Sequence, residues 1–319
     1  MTEMSSALHP RLISDVRLAD ANAGDEPFQQ AIRRTLGRLN GGIPLHDLVN
    51  AEPSLPPQDI KALLRSLDHA GLIDDDAPVT GRCGHEVILE LEDIVESHCS
   101  ATLFQNPFWQ ACLAARNPGD LPEKLVIGMI IENWHFLFRE SYFDAPVLSY
   151  VPNTAVRLLL NQFFSEEYGH DEILLRALNF AGLSREDMRD AIPLPATMGL
   201  CNALAYWAHS DPLFFFSTLG LLEGQALKQD SFIDACERAQ LPAGLVKPLK
   251  IHADINIGKG HGNLTRAIFQ EIPMIDEATV ARMKRQTRLF VELYDDFYTG
   301  IWRHYGSSEP LLLRRVSQL

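Results

Sequence analysis

The chain has 319 residues, 46% hydrophobic and 22% charged, with 42 acidic against 28 basic residues and a formal net charge of −14. That length and composition suit a folded protein with one large core or two domains. The acidic balance argues against general binding to a nucleic-acid backbone, which needs clustered Lys and Arg.

From Met1 to Ser6 no basic patch leads into an apolar stretch, so no signal peptide is predicted. Residues 1–25 are read as an N-terminal extension, and 26–87 as a small domain. Phe28, Ile32, Leu36 and Leu39 follow a helical period that Gly41 and Gly42 break. A short second helix is predicted over 43–49. A third begins after Ser54, with prolines in its first turn and an apolar stripe of Ile60, Leu63, Leu64, Leu67 and Leu72. Residues 70–73 read as a turn into a hairpin wing, and 77–90 as wing or linker, so the layout resembles a degenerate winged-helix module. Its third helix mixes Lys61 and Arg65 with Asp59 and Asp68. A phosphate-facing helix is more basic. Packing or dimerisation is therefore expected of this module, not DNA binding.

From 88 to 308 the pattern predicts long helices with short breaks, and 309–319 reads as a tail. Helices are expected over 88–100, 107–115, 123–143, 153–181, 184–191, 197–210, 212–237, 242–269 and 277–304. Asn153 and Ser184 read as helix caps, Gly182 as a stop, Gly169 as an interruption and Pro248 as a kink. No stretch alternates strictly, so the fold class expected is all-α, with helices enclosing a pocket. Phe214, Phe215 and Phe216 must face three directions, so at least one ring should meet a pocket or a neighbouring helix. Charges at Glu132 and Glu223 interrupt the most apolar runs, and no clean membrane span is predicted. Cys83, Cys99, Cys112, Cys201 and Cys236 form no Cys-x-x-Cys spacing and suit a reducing compartment. A cytoplasmic protein is expected.

The chemistry is concentrated in three clusters. Glu132 and His135 lie three apart in an apolar run, roughly one helical turn. Burying both is costly unless each finds a partner. A transition ion would serve both, and so would a direct Glu–His hydrogen bond. The step recurs as Glu167 and His170. His170 either ligates directly or hydrogen-bonds a ligand carboxylate. His252, Asp254 and His261 form the third cluster. On a regular helix His252 and His261 face opposite ways, and Gly258 and Gly260 would tolerate the distortion that reunites them. Glu223 and Tyr168 are expected around the ligands, with Asn133 and Trp134 orienting or insulating the site. Mixed carboxylate and imidazole donors suit Fe(II) or Mn(II) with positions left open. Lys247, Lys250 and Lys259 are candidates for an acidic substrate group, beside their plainer reading as solvated lysines. His98, His209 and His304 default to structural roles.

These motifs resemble the iron-containing redox enzymes of the heme-oxygenase-like superfamily, relatives of the TENA/thiaminase II and PQQ-synthesis oxidase fold. The matching residues are Glu132 with His135, Glu167 to Gly169, and Glu223 with Gly224, within roughly 90–305. The resemblance implies a helical bundle with one or two non-heme iron ions, dioxygen and a small metabolite as reactants, and a homodimer. The family's His-x-x-x-Asp-x-x-His is broken here. Counted from His252 its later positions fall on Asn256 and Lys259; counted back from His261 they fall on Gly258 and Asp254. The number of ions therefore stays open. A thiaminase-like hydrolase and a non-catalytic helical binding or scaffold protein are the competing functional readings.

Overall fold

The computed structural model describes residues 10–12, 26–70, 72–75, 81–150, 153–222, 232–259, 263–307, 309 and 311–318. The chain divides into two compact units, Met1–Thr80 and Gly81–Leu319.

In the first unit, α1 (Glu26–Gly37), α2 (Leu45–Asn50) and α3 (Pro57–His69) enclose a small core of Ala31, Leu48, Ile60 and Leu64. Strand β1 (Pro10–Leu12) pairs antiparallel with β2 (Ile73–Asp75), Leu12 opposite Ile73. The sequence suggested that the chain after α3 turns into a hairpin. In the structure β2 pairs with a strand that precedes α1, and residues 76–80, where a wing would turn, lie outside the described residues.

The second unit is helical. It runs through α4 (Gly84–Ala101), α5 (Pro107–Ala114), α6 (Glu123–Phe138), α7 (Ser141–Val147), α8 (Thr154–Glu167), α9 (His170–Phe180), α10 (Arg185–Asp190), α11 (Pro195–Ser210) and α12 (Pro212–Leu222). It continues with α13 (Phe232–Arg238), α14 (Ala243–Lys259), α15 (Leu264–Gln270) and α16 (Glu277–Tyr305). Two-residue strands β3 (Gly81–Arg82) and β4 (Ile275–Asp276) pair antiparallel beside α16. No helix of the described residues is long and apolar enough to cross a membrane.

Local chemistry sets many of the helix ends. Asn153 accepts from the Val156 amide, Ser184 and Asp187 form a reciprocal capping box, and Asp276 accepts from the Thr279 amide. Gly169 at φ 98° separates α8 from α9. One expectation was redrawn: the helix predicted over 123–143 stops at Phe138 and restarts at Ser141. Pro248, read as a kink, lies inside α14. Phe214, Phe215 and Phe216 are all fully buried, meeting Trp207, Phe143 and Tyr150 respectively. The site-bearing helices form a contiguous set, with α14 packed on α9, α9 on α6, and α6 on α16.

Candidate metal centre and cavity

Glu167 is the last residue of α8 and His170 the first of α9, so this Glu-x-x-His step crosses a helix break and does not run along one helix. Both side chains are buried, at 1% and 4% exposure. His170 Nδ1 lies 2.7 Å from Glu167 Oε2, although the alignment falls short of a hydrogen bond. The chain returns on α14 to place the His252 ring edge-on against His170, centroids 4.9 Å apart at 80°. One carboxylate and two imidazoles, all from helices packed together, are the donor types that a non-heme ferrous ion takes. Among the described residues, no three His, Cys, Asp or Glu side chains converge closely enough to hold an ion. Glu167, His170 and His252 bring those donor types side by side without forming such a group.

Asp254, two residues after His252, is exposed. Tyr168 is 92% exposed and points to solvent, so it does not insulate this cluster. The expected roles of His261 and Glu223 lie outside the described residues, as does Gly260; of Lys259 and Gly258 only the helical backbone is described.

Glu132 and His135 are fully buried; both Glu132 oxygens and His135 Nδ1 already have partners, and His135 Nε2 has none. Glu132 Oε2 accepts from the Leu194 amide at 3.0 Å and the Thr197 hydroxyl at 2.5 Å, and Oε1 accepts from the Tyr305 hydroxyl at 2.8 Å. Burial raises the Glu132 pKa, and these hydrogen bonds oppose that rise. The Arg139 guanidinium, from the residue that caps the end of α6, donates to His135 Nδ1 at 2.9 Å. Burial first, and the Arg139 charge second, pull the His135 pKa down from 6.5 to about 3. The ring is therefore neutral. With Nδ1 accepting, its proton belongs on Nε2, which is buried without a hydrogen-bond partner. Ligation through Nε2 would require that proton on Nδ1, facing the Arg139 donor. Trp134 packs edge-on to His135 and stacks on Phe138.

Sequence reasoning missed Arg139, Thr197 and Tyr305. Arg139 was within reach of it, since i and i+4 share a helix face. Thr197 and Tyr305 lie 65 and 173 residues from Glu132, and no local pattern marks them.

Beside His252 a cavity of about 210 Å³ opens among α6, α9, α11, α12, α13, α14 and α16. Met129, Phe136, Leu174, Leu249, Ala253 and Phe297 give it apolar walls; Asn133, His252 and Tyr294 bring polar atoms. Asn133 turns its amide back to the Met129 carbonyl at 2.9 Å. His252 thus touches the His170 ring and also lines the cavity.

A family model described as "iron-containing redox enzyme" matches residues 133–295, a span that takes in Glu167, His170 and His252 but not Glu132. No curated protein matches the chain. Among solved structures, a domain of unknown function with a heme oxygenase-like fold from Shewanella denitrificans is similar at 19% identity. Its TM-score is 0.54, and the match covers 68% of this chain and 93% of that one. The helical unit thus has a heme oxygenase-like fold.

Proposed function

Since the chain belongs to the iron-containing redox enzyme family, we propose that it is a non-heme iron, dioxygen-dependent oxidoreductase acting on a small molecule. Glu167, His170 and His252 would hold the metal. The observation that carries this reading is the buried Glu167–His170 contact with the His252 ring packed against it. When bound, iron supplies the redox and dioxygen chemistry. The chain's own part is positioning and exclusion. Gly169 turns α9 so that His170 meets Glu167. His252 sets that pair beside the cavity, whose largely apolar walls favour the apolar part of a substrate.

The hydrolase reading would need a reactive nucleophile. Cys201 is buried and its thiol is pushed up to about 12, and burial raises the Cys236 thiol as well. Neither supplies the thiolate that such a step requires. The test of the oxidoreductase reading is oxygen uptake. Fe(II) is added anaerobically to the full chain, unbound metal is removed, and dioxygen is admitted while absorbance and consumption are followed with and without candidate metabolites. Metabolite-dependent uptake by the wild type, lost in His170→Ala, supports the reading. Equal uptake by both proteins defeats it.

A further inference from the structure

The cavity beside His252 has a chemistry of its own. Among the described residues its walls come mainly from α6, α9, α14 and α16, among them Met129, Leu174 and Ala253, with Leu200, Leu222 and Phe232 beside them, and the polar atoms come from Asn133, His252 and Tyr294. None of these three carries a permanent charge, and Asn133 Nδ2 donates to the Met129 carbonyl, so that side chain offers chiefly its Oδ1 as an acceptor. A charged group drawn into such walls loses its hydration and gains little in exchange. An apolar body is favoured there by the removal of its surface from water.

Size narrows the class further. A dry apolar cavity of about 150 Å³ accommodates benzene. The volume here, about 210 Å³, therefore suits a molecule of about eight non-hydrogen atoms. We infer that this cavity is a binding site for an uncharged, mostly apolar small molecule of that size, with one hydrogen-bonding end turned toward Asn133 and His252. The inference rests on the proposed function only in identifying the occupant as the substrate; the binding itself needs no metal.

The test uses the full-length chain freed of metal by chelation, so that a carboxylate gains nothing from an ion. Octanol, octanoate and octylamine are titrated by calorimetry at neutral pH. Ala253→Val and Ala253→Phe, which fill the cavity to different degrees, are run in parallel, with helical circular dichroism to establish folding. Octanol should bind at least about tenfold more tightly than either charged congener. Its affinity should fall with the size of the residue at 253, most in Ala253→Phe if that variant folds and already measurably in Ala253→Val. No octanol binding to the wild type, equal or tighter binding of a charged congener, or octanol affinity unchanged in the folded variants would each overturn the inference. Fe(II) uptake is measured separately on the same protein. A chain that binds octanol but no iron retains the site and loses the iron reading; one that binds iron but no octanol does the reverse.

Discussion

The Tyr305 hydroxyl donates to Glu132 Oε1 at 2.8 Å, joining the last helix of the chain to the middle of α6 across 173 residues. The Thr197 hydroxyl and the Leu194 amide complete the set of donors around that carboxylate. A buried carboxyl with three donors is a satisfied group, and removing one donor leaves part of its desolvation uncompensated. Tyr305→Phe should cost about 1–3 kcal/mol of stability, read from the urea midpoint with the slope unchanged. A midpoint equal to wild type would mean the bond contributes nothing.

Gly128, one turn before Glu132, gives the Tyr305 ring its room. A Cβ at 128 would stand 2.1 Å from Tyr305 Cγ. Gly128→Ala gains about 1 kcal/mol of helix propensity, but forcing a buried ring aside costs about 1–3 kcal/mol. Net destabilisation is expected on thermal unfolding; a raised Tm would show that the ring shifts freely.

Acid stability should report His135. Its folded pKa is depressed to about 3 from 6.5, so the folded chain holds fewer protons between those values than the unfolded chain. The stability tied to the neutral ring is present above 6.5 and is lost as pH falls from there toward 3. It amounts to at most about 5 kcal/mol. Glu132, with a raised pKa, acts in the opposite sense: its contribution is present below its unfolded pKa and lost as pH rises through its folded one. In His135→Gln the decline of unfolding free energy across the acid range should flatten. An unchanged slope would mean that His135 does not titrate with folding.

Gly169 has φ 98° and no heavy atom near the position of a Cβ. Gly169→Ala should therefore suffer from backbone strain alone, about 1–2 kcal/mol. Because that turn sets Glu167 against His170, the variant should also bind Fe(II) more weakly in a competition titration with a chelator. Weaker folding with wild-type iron affinity would separate the turn from the proposed site.

Much of this architecture was legible because it is local. Asn153, Ser184 and Gly169 act through their own backbone neighbourhood, and each marks a helix end in the structure. The stop at Phe138 was hidden, because the apolar pattern runs on through Phe143. Glu132 and His135 were legible as buried polar residues, whereas their partners were not. A spacing of three says that two side chains share a helix side, but their hydrogen bonds are set by Tyr305, Thr197 and Arg139. The meeting of His170 with His252 is tertiary as well, made by the packing of α14 on α9.

Iron uptake separates the two buried Glu–His pairs most directly. The full-length wild type and the variants His170→Ala, His252→Ala and Glu132→Gln are loaded with Fe(II) anaerobically, exchanged into buffer and analysed for bound metal. The wild type should retain at least about one ion per chain, Glu132→Gln should retain as much, and His170→Ala and His252→Ala should lose most of it. A wild type that holds no iron, or a loss confined to Glu132→Gln, would contradict the placement of the metal at Glu167, His170 and His252.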